Sequence, residues 1–381
     1  MKVLYITNYD TMYGANKSLF AMMELLKDKY GIEPFLLVPG YEGGVIGSLC
    51  KKKGIPCLCY DFRISVVPED MKYKNIHKVT RHIMRNFDFI RVARGIEKQN
   101  LEFDMVHSNS SIFDIGLFLA KRWKIPHVWH VREFAKEDYG LETVLSKRAI
   151  RRNYLNTNKV IAISEAIKSI ILKYDKTINA KRIYNGIDYI PEYNKKYCSK
   201  GAVCFCIVGS LIKGKNQLDV LKACVELERR SDYAYRVYFL GDTDGTYYEE
   251  LSSYLDKHKE IQLKVFFEGY CDNVNAFLKQ MDVGIIPSEK EGFGRVTVEY
   301  MGNYMPVIAS NAGANGEILA QDGDLFELHN IGALADLMEK YIASPDLLAG
   351  VGSKMKQRSM LFTKENNADE VFEVYREVVS Q

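Results

Sequence analysis

Short apolar runs alternate with amphipathic stretches along the whole chain, and this alternation constrains the fold more than any other feature. KVLYITN is followed by KSLFAMMELLKDKYG and PFLLVPG, and later by DMVHSNS, IPHVWH and KVIAISEAIKSIILKY. A strand buried on both faces reads as an unbroken apolar run, and the helix returning the chain to the next parallel strand reads as an amphipathic one. The pattern is that of a parallel, doubly wound sheet. It lapses in IYNGIDYIPEYNKKYCSKG and restarts with VCFCIVGS, QLDVLKACVELERR, YRVYFLG and QLKVFFEGY. The economical reading is α/β, with two Rossmann-like domains at 1–185 and 201–361 and a linker over 186–200. The 381 residues suffice for two such cores. A closing amphipathic helix over 362–381, capped by Thr363, can return to the first domain.

Composition narrows the class. The N-terminus, MKVLYITNYD, lacks an apolar leader, and no stretch approaches about 18 uncharged apolar residues, which predicts a cytosolic, non-spanning protein. The cysteine pairs CLC and CFC lie in strand-like runs without histidines nearby, so buried free thiols are expected rather than a metal site. The net charge of +3 conceals an asymmetry: residues 1–185 hold 31 Lys and Arg against 19 Asp and Glu, and the remainder 21 against 30. The excess lies in 72–100 and 147–159. Such a patch is either solvated or meets a partner, and an anionic membrane surface fits better than nucleic acid, for which no motif is present.

The chemistry concentrates in EKEGFGRVTVEYMG, residues 289–302. Glu291 and Glu299 are eight positions apart, which on one helix would separate them by about 80° of arc. They cannot form one tight carboxylate pair. MDVGIIPS reads instead as a buried strand and VTVEYMGNY as a helix, so the glycines form the turn between them, at the strand end where open α/β sheets bind ligands. Glycines clear space at a helix N-terminus, whose amides favour an anion, while a carboxylate beside it can accept hydroxyl hydrogen bonds. Two further strand-end loops match this chemistry: TMYGANKSL, where Gly14 precedes a helix, and VGSLIKGKNQ, with Gly209, Lys213 and Lys215. Together they suit a sugar nucleotide better than a dinucleotide, since no G-x-G-x-x-G follows the first strand.

EGFGRVTVEYMGNYMPVIASNAGANGEIL, preceded by GYCDNVNAFLKQMDVGIIPS, resembles the donor-binding half of retaining glycosyltransferases of family 4. VGSLIKGKNQ, IAISEAIKS, YNGID and YGANKSL extend the likeness over most of the chain. The resemblance implies the GT-B fold, two Rossmann-like domains facing across a cleft. It implies that Glu291 contacts hydroxyls of the transferred sugar and Glu299 the nucleotide ribose. The turn Gly292-Phe293-Gly294, with the amides of Gly294, Arg295 and Val296, would hold the diphosphate beside Lys215, and Gly14 would approach from the other domain. The implied reaction needs no metal or cofactor: a UDP- or GDP-linked sugar passes to a glycan or lipid-linked acceptor, with the acceptor bound by the N-terminal domain. Lys215 and Glu291 carry the catalytic expectation.

Three departures stand out. Ser210 occupies the place of a customary phosphate-binding arginine, leaving Lys213 or Arg295 to substitute for it, or the diphosphate to lean harder on the helix amides. His107-Ser108-Asn109 replaces a common His-x-His, so Asn109 can hydrogen-bond but not titrate. Gly313-Ala314 stands where Gly-Gly is common. On the acceptor side, WHVREF offers His130, Arg132 and Glu133, against a core histidine and a structural Arg–Glu pair as the plainer alternative. GDTDG at 241–245 mimics a metal-binding D-x-D but fits a glycine-acid turn better. A nucleotide-sugar epimerase and a catalytically silent binding subunit remain rivals.

Overall fold

The computed structural model describes residues 1–12, 14–40, 43–134, 140–198 and 201–380. The chain forms two compact units, Met1–Gly186 with Lys364–Gln381, and Ile187–Thr363.

In unit 1, strands β1 (Lys2–Ile6), β2 (Glu33–Val38), β3 (Cys57–Cys59), β5 (Met105–Ser108), β6 (His127–Val131), β8 (Lys159–Ala162) and β9 (Ala180–Arg182) form one parallel sheet in the order β3-β2-β1-β5-β6-β8-β9. A small antiparallel ribbon pairs β4 (Val66–Pro68) with β7 (Leu141–Thr143). β1 pairs with β2 on one side and β5 on the other, and Val3, Leu4, Tyr5 and Ile6 are all fully buried, as its apolar run requires. The C-terminal helix Lys364–Val379 packs on Gly14–Tyr30: Phe372 stacks on Tyr30 at 3.8 Å, and Asp369 bonds Lys29 and Tyr30.

Unit 2 carries a second parallel sheet, β12-β11-β10-β13-β14-β15, built from β10 (Val203–Val208), β11 (Tyr235–Leu240), β12 (Val265–Gly269), β13 (Val283–Ile286), β14 (Val307–Ser310) and β15 (Asp324–Phe326). Residues 187–198, which the sequence shows only as a lapse in periodicity, belong to this unit; 199 and 200 lie outside the described residues. Ile187 N donates to Phe362 O, Tyr193 Oη to Asn303 O and Tyr197 Oη to Tyr304 O, so polar anchors rather than a repeating apolar face hold the segment.

Strand order reverses direction beside the first strand of each sheet, between β1 and β5 and between β10 and β13. Loops leaving adjacent strands there diverge to opposite faces and open a crevice. Gly14 and Asn109 follow β1 and β5. Lys215 and Glu291 follow β10 and β13.

Candidate active site

The unit 2 switch point brings Lys215 and Glu291 together across 76 residues of sequence: the Lys215 ammonium donates to Glu291 Oε1. Several backbone constraints place this pair. Asn216, left-handed at φ 58°, ends the short turn Lys213–Lys215 and starts helix Gln217–Arg230. Gln217 Nε2 donates to Ser210 O at 3.0 Å, closing the loop after β10, and Glu289 N donates to Gly214 O at 2.9 Å, joining it to the loop after β13. Ser288 Oγ donates to Glu291 Oε1 at 2.8 Å, while Ser310 Oγ, from the end of β14, holds Ser288 O. Glu291 O accepts from Ala314 N at 2.8 Å. Gly313, at φ +61°, lies so close that a Cβ there would stand 2.3 Å from Glu291 O and 2.5 Å from Glu291 N.

Helix Arg295–Gly302 begins beside the pair. Gly294 enters it left-handed at φ 80° and, being glycine, brings no capping side chain of its own. The first amides of a helix have no intrahelical acceptor, so this end presents donors and the positive pole of the helix dipole. The helix is seated by Tyr300, whose hydroxyl accepts from Val208 N at 2.8 Å and donates to Cys206 O. Its ring lies where a Cβ of Gly284 would be, so β13 needs glycine there. Glu299 is half-buried one turn further along.

The other expected donor residues divide. Gly292, Arg295 and Val296 are half-buried at the turn, and the backbone of Gly294 shapes it. The Phe293 side chain, by contrast, is buried and packs edge-on against Phe362 at 5.8 Å; only its backbone is available. Ser210 is exposed, and Lys213 points outward, 3.8 Å from Glu250. Neither replaces the arginine in this arrangement.

The acceptor-side residues lie deeper than a surface contact would place them. His107 and His130 are fully buried, each with an Nε2 that has no partner among the described residues. Both lie within strands buried on both faces, His107 Nδ1 bonds Tyr375 Oη at 2.6 Å, and burial beside Arg132 holds both imidazoles neutral, with pKa values well below the ordinary one. Arg132 is also internal. It donates to Asn109 Oδ1 at 2.6 Å and to Asn185 Oδ1, and Asn109 Nδ2 reaches Ala15 O beside Gly14. No Arg132–Glu133 ion pair forms, since Glu133 turns to Ser110 and Ser111. Sequence reasoning missed Ser288, Asn185 and the role of Gly313. The signals that could have found them were the place of Gly313 in a pair, the asparagine of YNGID and a serine three positions before Glu291.

The family model described as "Glycosyl transferases group 1" matches residues 191–358, and that described as "Glycosyltransferase Family 4" matches residues 21–189. The chain is a family 4 glycosyltransferase of group 1. A glycosyltransferase of Methanocaldococcus jannaschii is 26% identical over 329 residues, covering 81% of this chain and 87% of that protein. The Escherichia coli UDP-Gal:alpha-D-GlcNAc-diphosphoundecaprenol alpha-1,3-galactosyltransferase is 23% identical over 94% of this chain and 96% of its own. Among solved structures, Anabaena HepE in complex with UDP superposes with a TM-score of 0.76 at 18% identity, covering 99% of this chain and 100% of that one. Staphylococcus aureus TarM gives a TM-score of 0.74 at 13% identity over 100% and 99%. The fold of this glycosyltransferase is therefore GT-B.

Proposed function

We propose that this glycosyltransferase transfers a sugar, with retention of anomeric configuration and without a metal, from a UDP- or GDP-linked donor to a glycan or lipid-linked saccharide in bacterial surface polysaccharide synthesis. The observation carrying this reading is the Lys215–Glu291 pair beside the start of helix Arg295–Gly302. The bond between C1 and the phosphate oxygen breaks with its electrons going to the diphosphate, the acceptor oxygen bonds C1, and the acceptor's proton passes to the leaving phosphate. Negative charge grows on that phosphate, where Lys215 and the helix amides stabilise it. Glu291 Oε2 accepts hydroxyls of the transferred sugar, and Glu299 those of the ribose. HepE has been crystallised with UDP-glucose, and the Escherichia coli relative is named for a lipid diphosphate-linked acceptor.

The basic helix Lys74–Glu97 supports an anionic membrane surface as the place of action. Its buried face carries Phe89, Val92, Ala93 and Ile96, while Ile76, Val79, Ile83 and Phe87 stand 50% or more exposed at helical spacing. Arg85 does not join the basic patch; it is buried against Asp114, and Lys74 and Lys78 neutralise Glu142. Arg94, exposed and in line with the apolar stripe, has no ion-pair partner among the described residues; Arg81, also without one, lies on the opposite side of the helix near Arg85. An exposed apolar stripe ending in a cation is a feature of interfacial helices. No described helix is long and apolar enough to cross a membrane.

A panel of nucleotide sugars tests the donor: a ligand at 100 Kd should stabilise the protein by about 2.7 kcal/mol. With that donor, Lys215→Ala should lower kcat about 10²-fold while changing donor affinity little, because its charge matters most as the leaving group forms. Stabilisation by no nucleotide sugar, or an unchanged kcat, would refute the reading. Acceptor-independent epimerisation would favour the epimerase, and tight donor binding without transfer the silent subunit.

A further inference from the structure

Unit 1 contains a cavity of about 400 Å³, a size typical of small-molecule sites. It lies among the loops after β5 and β6, the β4–β7 ribbon, and helices Lys147–Leu155 and Glu165–Leu172. Its walls divide by chemistry. One is aromatic: Trp129, fixed by its Nε1–H bond to Ser110 O at 2.7 Å, lies 5.2 Å from Tyr154, which lies 5.9 Å from Tyr174. Aliphatic side chains such as Ile150, Ile167 and Ile170 extend it, and the polar part of the lining centres on a carboxylate. Glu133 is only 9% exposed; Ser110 Oγ, Ser111 N and Ser111 Oγ donate to its Oε1 at 2.8, 2.6 and 2.7 Å, and among the described residues nothing donates to Oε2. Ser111 thus commits its hydroxyl proton to Glu133, and Asn153 directs an amide proton to Asp114 at 3.2 Å. The Lys78 ammonium is held by Glu142, and Arg132 turns to Asn109 and Asn185.

We propose that this cavity binds an uncharged saccharide ring, with a hydroxyl bonded to Glu133 Oε2 and a C–H face against Trp129 and Tyr154. The free oxygen of a buried carboxylate requires a ligand that donates, which a sugar hydroxyl does and an ionised phosphate does not. A phosphate there would also face the Glu133 carboxylate at low local dielectric. The planar aromatic wall suits the flat apolar face of a ring. Resting on the glycosyltransfer reading above, the occupant is a sugar residue of the acceptor, which is thereby recognised through its neutral end rather than through a phosphate.

The chain has two tryptophans, so Trp123→Phe leaves Trp129 as the sole indole reporter in the full-length protein. Titration with the methyl glycosides of glucose, galactose and N-acetylglucosamine should change its emission saturably for at least one of them. Glu133→Gln keeps an oxygen for the serine donors but turns an N–H toward the cavity, and should weaken that response about tenfold. Ile170→Phe fills the cavity from a half-buried position and should abolish it, which keeps the test intact if Glu133→Gln does not fold. The proposal is overturned if no glycoside responds, if Ile170→Phe leaves the response intact, or if glycerol 3-phosphate matches the best glycoside. It is equally overturned if choline binds more tightly, since an aromatic wall with a carboxylate can also hold a cation. Nucleotide-sugar stabilisation measured on the same samples separates the two readings: if it persists while the glycosides fail, the cavity proposal fails alone, and if both fail, glycosyl transfer fails with it.

Discussion

Gly313→Ala should damage the donor site by pushing on the backbone of Glu291. A Cβ at this residue would lie 2.3 Å from Glu291 O and 2.5 Å from Glu291 N, where ordinary contact begins near 3.4 Å. Both obstructing atoms are backbone, so no side chain can swing away, and one loop must retreat by about 1 Å, a displacement of the size that costs about 10² in rate when it misplaces a catalytic group. The left-handed conformation, φ +61°, adds about 1 to 2 kcal/mol of strain for a residue with a Cβ. Retreat would stretch the 2.8 Å bond from Ala314 N to Glu291 O and swing the carboxylate away from Lys215 and Ser288. The expected result is a loss of about 100-fold in kcat/KM, together with a lower thermal midpoint, measured with the donor found in the nucleotide-sugar panel. Ala314→Gly is the matched control. Ala314 has φ −90°, which any residue adopts, so glycine there should preserve activity and lower stability by about 1 kcal/mol. Wild-type turnover in Gly313→Ala, or equal activity losses in both variants, would refute the argument that close backbone approach positions Glu291.

Three further outcomes follow from the same geometry. Glu291→Gln should impair discrimination among sugars while leaving affinity for the free nucleotide unchanged, whereas Glu299→Gln should weaken the free nucleotide too; calorimetric titration of both variants checks this, and the reverse pattern would disprove the assignment. His107, His127 and His130 are buried and held neutral by desolvation, His127 with its pKa pushed down to about 3. Below about pH 6.5 the unfolded chain therefore binds up to three more protons than the folded one, and stability falls as pH falls, by about 4 kcal/mol per pH unit at most; urea midpoints that stay flat between pH 7 and 5 would contradict it. Vesicles containing anionic lipid should sediment the protein at low salt and release it at high salt, each engaged Arg being worth about 1 kcal/mol; retention of binding by the combined reversal Arg81→Glu, Arg94→Glu with Phe87→Ser would exclude the helix Lys74–Glu97 as the docking face.

What the sequence revealed and what it hid have physical causes. Strands buried on both faces announce themselves as apolar runs, so both sheets were legible, and with them the strand-end loops carrying Lys215 and Glu291; the strand order that sets these loops side by side was not. The same double burial hid the fate of His107 and His130. Period-two alternation distinguishes an inward from an outward side chain only when one face meets water, so a histidine at the end of such a strand reads equally as core or as site. Helix Lys74–Glu97 shows a related ambiguity. Its apolar stripe at 76, 79, 83 and 87 is plain in the sequence, but a second apolar set at 89, 92, 93 and 96 takes the core-facing side. The competition between the two was decided by tertiary packing, and with it the burial of Arg85.

The departure at Ser210 can be understood on the same footing. In this loop the structure uses the Ser210 carbonyl, which accepts from Gln217 Nε2 at 3.0 Å, while the side chain is exposed. Gln217 is itself fully buried, so the turn that delivers Lys215 is anchored from below and does not depend on what residue 210 carries. Replacing an arginine by serine there removes a positive charge from the rim without disturbing the placement of Lys215 or Glu291. On the proposed reading, with Lys213 directed toward Glu250 rather than inward, stabilisation of a leaving diphosphate would fall more heavily on the amides of helix Arg295–Gly302. These are fixed dipoles needing no reorganisation as charge develops, so on that reading the loss of one cation would leave the placement of Lys215 and Glu291 unchanged.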